Sequence, residues 1–161
     1  MSPSFTRAEV EGAKARKGRR DLQPVKAEGE LLAVFVSGKL VNPLNASAWG
    51  WQKRSRLART WKDRVAHALF EFTRGWGGIF TSEPRMWIHP HEPKTVAFLA
   101  HTGGRMDGDG LQASLKPVRD ALVDCGVISG DADRDGHEFS YSQRIDRANR
   151  GVEIRVRLRG V

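Results

Sequence analysis

The clearest pattern in the sequence is a strict alternation of aliphatic and charged residues near the carboxyl end. Every second residue from Val152 to Leu158 is aliphatic, and the residues between them are charged. Successive side chains of a β-strand point to opposite faces, so the pattern predicts a strand with one buried and one polar face. The apolar face of a sheet built from such strands has to be covered, and helices packed on that face are the expected cover.

Other segments supply the rest of this architecture. Apolar residues at spacings of three and four predict an amphipathic helix from about residue 55 to 74. Further strands are predicted at residues 31–36, 86–89, 95–100 and 139–145, and a second helix ends near Asp124. Pro117 leaves the start of that helix open: either Ser114 is its N-cap, or it begins near Asp109 and kinks at the proline. We therefore predict an α+β fold, with two main helices packed on a mixed, curved sheet.

The chain of 161 residues is long enough for one domain. Residues 1–29 are polar and basic, and we interpret them as a flexible basic tail before a domain of residues 30–161. No apolar run approaches the roughly 20 residues of a membrane-spanning helix, and the basic start lacks the apolar segment of a signal peptide. Cys125 is the only cysteine, so no internal disulfide can form. These features predict a cytoplasmic protein with no membrane partner.

Charge is distributed unevenly along the chain. The formal net charge is +8, which favours an anionic partner such as nucleic acid, although it could also serve solubility alone. Residues 39–64 hold seven basic residues and one acid, and residues 144–159 hold six basic residues and two acids. Between them, residues 105–135 hold seven aspartates and four basic residues. Basic walls around carboxylates are what a metal-dependent nuclease needs, because the carboxylates hold a cation against the scissile phosphate.

Two aspartates separated by one glycine are the first candidate metal ligands. At an extended strand end, Asp107 and Asp109 project to the same side and can reach one ion. Magnesium takes oxygen ligands and usually keeps waters and substrate phosphate oxygens in its shell. Lys116 lies four residues before Asp120 on a helix, so Asp120 could orient the lysine towards a phosphate. A plain turn is the alternative for residues 107–110, because Asp and Gly favour turns.

A longer pattern resembles a known family. The chain contains Asp-x-Asp at 107–109, Lys-Pro-x-x-Asp-Ala-Leu at 116–122 and Gly-x-x-x-Gly-Asp at 126–131. This order and spacing resemble the RusA-like Holliday-junction resolvases, over roughly residues 31–160. The resemblance implies a homodimer that cuts branched DNA, such as a four-way junction, by hydrolysis with Mg²⁺ or, in its place, Mn²⁺. It also implies that Asp107, Asp109 and Asp131 bind the metal and that Lys116 assists the reaction.

Three differences separate the chain from that family. The family usually has asparagine where this chain has Gly110, and often has a second aspartate where it has Gly130. The segment from Asp109 to Lys116 is also three residues longer than in the short bacterial form. All three ligand positions are nevertheless filled.

Basic residues outside the acidic stretch are the candidates for holding DNA. The expected phosphate contacts are Lys53, Arg54, Arg56, Arg59 and Arg105. The charged side of the last strand is expected to add Arg155, Arg157 and Arg159. Trp49 and Trp51 could stack on unpaired bases.

Two rival interpretations remain open. The first is a non-catalytic DNA-binding protein that has kept the fold. The second is a calcium loop, because residues 131–136 imitate the start of an EF-hand; that loop requires glutamate at its twelfth position, where this chain has Ser142.

Overall fold

The computed structural model describes residues 23–45, 48–74 and 89–160 of the chain. In chain order its elements are β1 (Glu30–Ser37), α1 (Trp51–Arg74), β2 (Lys94–Thr102), α2 (Gly108–Asp124), β3 (Glu138–Ile145) and β4 (Gly151–Leu158). A short 3-10 turn, Asp133–Asp135, lies between α2 and β3.

The four strands form one mixed sheet in the order β1-β4-β2-β3. β4 pairs antiparallel with both β1 and β2, whereas β2 and β3 are parallel. Parallel neighbours need a crossover connection, and α2 provides it. The α+β prediction, a mixed sheet with two main helices packed on it, is confirmed.

The core lies between the sheet and the two helices. Val34, Ile154 and Val96 from the sheet are at most 2% exposed, and Trp61 from α1 and Leu115 from α2 are fully buried. The aliphatic residues of β4 from Val152 to Val156 are buried and the charged residues between them are partly exposed, as their alternation predicts.

The helix predicted from about residue 55 begins four residues earlier, at Trp51, and ends at Arg74 as predicted. The N–H groups of Lys53 and Arg54 donate to the Gly50 carbonyl and start the helix. Trp51 is 71% exposed, so it adds nothing to the buried stripe from which a helix is predicted. Of the predicted strand at 86–89, residues 86–88 lie outside the described residues, and His89 belongs to no strand.

The second helix begins at Gly108 and passes through Pro117, its tenth residue. This is the alternative in which the helix starts near Asp109, and Asp107 rather than Ser114 is the N-cap. Proline has no N–H to donate to the carbonyl of Ala113, so burial must compensate the lost bond. Leu115, Val118 and five other residues of α2 are buried. The helix ends before Gly126, whose φ of 73° suits glycine.

A buried polar pair fixes the start of β2. The Nδ1 atom of His137 accepts a hydrogen bond from the Lys94 backbone N–H at 3.2 Å, and its Nε2 lies 3.1 Å from the Ser129 hydroxyl. The Lys94 ammonium donates to the carbonyls of His89 and Glu92. Burial and the nearby Lys94 charge lower the pKa of His137.

Part of the predicted tail is described, and it packs on β1. The Gln23 side-chain amide donates to the Phe35 carbonyl at 3.3 Å and accepts from the Phe35 N–H at 3.2 Å. Residues 1–22 lie outside the described residues. Within the described residues, no helix is long and apolar enough to cross a membrane.

Candidate metal and nucleic-acid site

Asp107 and Asp109 lie at the amino end of α2, shortly after β2 ends. Asp107 is the N-cap, and its Oδ1 accepts the Gly110 N–H at 2.8 Å, while Asp109 lies in the first turn. Both side chains are exposed, and the positive end of the helix dipole favours their negative charge. Asp107 has an extended backbone, but Asp109 is helical, so the idea that both project from an extended strand end is wrong.

The loop that leads into Asp107 is held by β3 and by the turn after it. The Gln143 side chain accepts from the Met106 N–H at 3.0 Å and donates to the Met106 carbonyl at 2.6 Å. Arg147 Nε donates to the Gly103 carbonyl at 3.1 Å. These bonds fix the backbone on both sides of the exposed Arg105. The sequence alone does not identify Gln143 and Arg147 as loop contacts, because each bonds to a residue about 40 positions earlier in the chain.

Gly110 allows a second loop to pack against the cap of α2. A Cβ at this position would lie 2.5 Å from Asn42 Nδ2 and 2.5 Å from Asp107 Oδ1. Asn42 also accepts the Leu44 N–H at 2.9 Å, which fixes its own turn. The space beside Gly110 is therefore filled by the Asn42 amide.

Asp131 lies beside the middle of α2. Its Oδ2 is 3.1 Å from Arg119 and 3.6 Å from Lys116 Nζ. Lys116 also lies 3.2 Å from Asp120, which confirms the predicted contact between these two residues. Arg119 additionally donates to the Tyr141 hydroxyl at 2.7 Å. Arg119 was missed, although its place three residues after Lys116 puts both on one side of the helix.

The structure does not bring the three predicted metal ligands together. Asp109 and Lys116 are seven residues apart in one helix, about 10 Å along its axis. Asp131 is instead paired with two cations, Lys116 and Arg119. Among residues 23–45, 48–74 and 89–160, no group of three or more His, Cys, Asp or Glu residues is placed to hold a metal ion.

Asp107 and Asp109 nevertheless suit magnesium in their chemistry. They are exposed carboxylates on a fixed backbone, and Mg²⁺ is commonly held by one or two carboxylates together with substrate phosphates. The cap uses Oδ1 of Asp107, and among the described residues nothing donates to its Oδ2. Asp107 and Asp109 thus have the chemistry of a two-carboxylate site. Asp131 could join them only if its ion pairs with Lys116 and Arg119 were broken.

A cleft of about 580 Å³ opens beside Asp107, and we call it the Asp107 cleft. Its lining includes Lys39, Asn42, Asn45, Trp49, Arg105 and Asp107. Lys53 Nζ lies 3.8 Å from the centre of the Trp49 ring, which brings the start of α1 to the same cleft. A larger cleft, of about 920 Å³, lies between α1 and β1 and includes none of the predicted site residues.

The predicted DNA contacts fall into two groups. Lys53, Arg54, Arg56 and Arg59 are exposed on the first turns of α1, and Arg105 is exposed before α2. Arg155 and Arg157 of β4, and Arg159 just after it, are instead paired with acids, and their contact with DNA stays a prediction. Arg155 and Arg157 each lie 2.9 Å from Glu30, and Arg159 lies 2.7 Å from Glu138.

Glu30 is a buried carboxylate beneath these arginines. Burial by itself would raise its pKa, but hydrogen bonds from the Ala27 N–H and from Arg157 and Arg155 outweigh burial and lower the pKa. Both β4 arginines, Arg155 and Arg157, therefore stabilise the edge of the sheet through Glu30.

The segment that imitates a calcium loop has a different local structure. The Asp135 carboxylate accepts the Ala132 N–H at 3.2 Å and packs where a side chain at Gly130 would lie. Ser142 lies within β3, so no second helix follows the loop as an EF-hand requires. The geometry disfavours the calcium interpretation.

No protein-family model matches this sequence, and no curated protein matches it significantly.

Proposed function

We propose that the chain is a magnesium-dependent endonuclease that cuts branched DNA, with the four-way junction as its expected substrate. The observation that carries the proposal is the Asp107 cleft, where an exposed carboxylate shares one surface with Lys39, Arg105 and Trp49. Cations there can hold phosphates. Asp107 uses Oδ1 to cap α2, and within the described residues its Oδ2 accepts no hydrogen bond, so this oxygen can bind a metal or take a proton.

Asp107 and Asp109 would hold the metal. Mg²⁺, when bound, lowers the pKa of its water and neutralises charge on the scissile phosphate. Arg105 binds the neighbouring backbone, and Trp49 stacks on an unpaired base at the branch. Lys116, oriented by Asp120 at 3.2 Å, contacts a phosphate oxygen and stabilises charge there. In hydrolysis the water oxygen bonds to phosphorus, and the departing sugar oxygen leaves with a proton.

Symmetric cutting of a junction needs two active sites, so the proposal includes a C2 homodimer. Backbone contacts carry no sequence information, which leaves branch shape as the first determinant of specificity.

The decisive experiment is cleavage of a synthetic four-way junction in Mg²⁺, in Mn²⁺ and in chelator. Asp109→Asn should abolish cutting and retain junction binding. Asp124→Asn is the matched control, because Asp124 is an exposed acid at the other end of the same helix and pairs with Lys62. Undiminished cutting by Asp109→Asn, or equal loss in both variants, would contradict the proposal.

One observation favours a second candidate, a DNA-binding protein without catalysis. Asp131 is neutralised by Lys116 and Arg119 instead of lying beside the other two acids. This candidate predicts junction binding with no cutting in either metal. It also predicts that Asp109→Asn tightens binding, because a repulsive charge is removed.

A further inference from the structure

A second, smaller cavity adjoins the Asp107 cleft. It has a volume of about 250 Å³, and we call it the Arg150 cavity, after a residue of its wall. It shares Lys39, Leu40, Gly104 and Met106 with the Asp107 cleft and extends from there to His101 and Gly103. The two spaces therefore form neighbouring parts of one surface at the end of β2.

Two arginines from the turn between β3 and β4 converge on Gly103. A Cβ at Gly103 would lie 2.6 Å from an Arg150 guanidinium nitrogen, so this guanidinium packs directly over the glycine. Arg147 donates to the carbonyl of the same glycine at 3.1 Å. The absence of a side chain at position 103 is what brings Arg150 this close to the loop that leads to Asp107.

The turn that carries these arginines is fixed at both ends. The Asp146 N–H donates to the Thr102 carbonyl at 2.8 Å, and the Gly38 N–H donates to the Arg150 carbonyl at 3.0 Å. Asp146 also accepts the Asn149 N–H at 3.0 Å across the turn. Arginines on a rigid support lose less freedom when they bind an anion, which strengthens binding.

Two cations, Lys39 and Arg150, line this cavity. Unlike the arginines of β4, Lys39 and Arg150 have no acidic partner among the described residues, and both are exposed. Asp146, an acid of the same turn, is engaged by Asn149 and lies 3.6 Å from His101 Nδ1, which Arg144 approaches at 3.4 Å. His101 is 1% exposed, and its Nε2 has no hydrogen-bond partner within the described part of the chain.

We propose that the Arg150 cavity is a phosphate-binding subsite, in which Lys39 and Arg150 hold a backbone phosphate of the strand that passes Asp107. The inference rests on the proposed function for the identity of the ligand. Guanidinium groups suit phosphate because their paired N–H donors match two of its oxygens. Adjacent phosphates of one strand are about 3.4 Å apart along the DNA axis, so adjoining cavities can hold nearby phosphates. The subsite fixes the register of the strand against the carboxylates.

The first test measures binding of a synthetic four-way junction in chelator, over a range of salt concentrations. Arg150→Gln should weaken binding about tenfold, as expected for the loss of one charge-assisted contact. It should also reduce the slope of log affinity against log salt by about 0.9. Lys62→Gln is the matched control, since it removes an exposed cation that pairs with Asp124 on the helices. Equal slopes for wild type and Arg150→Gln, with both proteins folded by circular dichroism, would overturn the subsite.

The second test locates the phosphate. Junctions carry a single neutral methylphosphonate at successive positions near the branch, and binding is compared for wild type and Arg150→Gln. A methylphosphonate at one position near the cutting point should weaken junction binding by wild type but not by Arg150→Gln. At other contacted positions it should weaken binding by both proteins. An identical interference pattern in the two proteins would refute the assignment.

These results separate the subsite from the proposed function. If the interference pattern depends on Arg150 but wild type does not cut in Mg²⁺ or Mn²⁺, the subsite stands and the nuclease proposal fails. If wild type cuts and Arg150→Gln binds and cuts equally well, the nuclease proposal stands and the subsite fails.

Discussion

Asp107 caps α2 and is also a proposed metal ligand, and substitutions can separate these two roles. As the N-cap of α2 it accepts the Gly110 N–H at 2.8 Å, and as a carboxylate it is a proposed metal ligand. Asparagine caps a helix as well as aspartate does but has no charge. Asp107→Asn should therefore keep the cap, and Asp107→Ala should lose both roles.

The magnitudes follow from these contacts. Loss of the charge at the helix amino end costs about 0.5 kcal/mol. Loss of the cap costs about 1 kcal/mol more. For a domain of this size 1 kcal/mol corresponds to roughly 3 °C in Tm, so we expect falls of about 1–2 °C for Asp107→Asn and about 4–5 °C for Asp107→Ala. Both variants should lose at least about a hundredfold in cleavage rate, equivalent to ~2.7 kcal/mol of transition-state stabilisation.

Differential scanning calorimetry and junction cleavage in Mg²⁺ check the two roles separately. Equal melting temperatures for the Asn and Ala variants would refute the capping argument. Near wild-type cleavage by Asp107→Asn would refute the assignment of Asp107 as a metal ligand, whatever the melting temperatures.

Three further predictions concern stability and its pH dependence. Gly110→Ala should destabilise the protein by about 1 kcal/mol in urea unfolding, because its methyl group displaces the cap; Gly108→Ala, with open space around its Cβ, should be neutral or slightly stabilising. Glu30→Ala should cost about 2–3 kcal/mol, less than a fully buried pair because its arginines are partly exposed; Glu138→Ala, which removes an exposed pair, should cost under about 1 kcal/mol. The lowered pKa of His137 means that the unfolded chain takes up this proton at higher pH than the folded chain. The free energy of unfolding should therefore be level above about pH 6.5 and fall as the pH drops below it. His137→Gln should make that fall shallower, and an unchanged slope would contradict the argument.

Periodicity predicted most of the fold because burial follows one face of each element. The strand at residues 30–37 has a continuous apolar centre and the strand at 151–158 alternates in burial, and both are predicted within one residue of their bounds. The amino end of α1 was missed because Trp51 and its neighbours are exposed, so they show no apolar stripe. Pro117 leaves two possible start residues for α2 in the sequence. In the structure, burial of Leu115 and Val118 outweighs the free-energy cost of a proline inside the helix.

The candidate site was predictable only where its contacts are local in sequence. Lys116 and Asp120 are four residues apart on a helix, and their pairing follows from helix geometry alone. Asp131 reaches α2 through a tertiary contact, and its pairing with Arg119 depends on how the chain returns after the helix. Arg150 packs on Gly103 from 47 residues away, which no spacing rule detects.

The contact between the Gln23 amide and β1 limits how far the chain can be truncated from its amino end without loss of solubility. By bonding to both backbone groups of Phe35, it occupies hydrogen-bonding positions at the outer border of β1. An open strand border invites pairing with other chains and aggregation. A truncated protein that starts at residue 30 would lack the Gln23 bonds to Phe35, whereas one that starts at residue 23 would keep them. The shorter protein should therefore be the less soluble of the two.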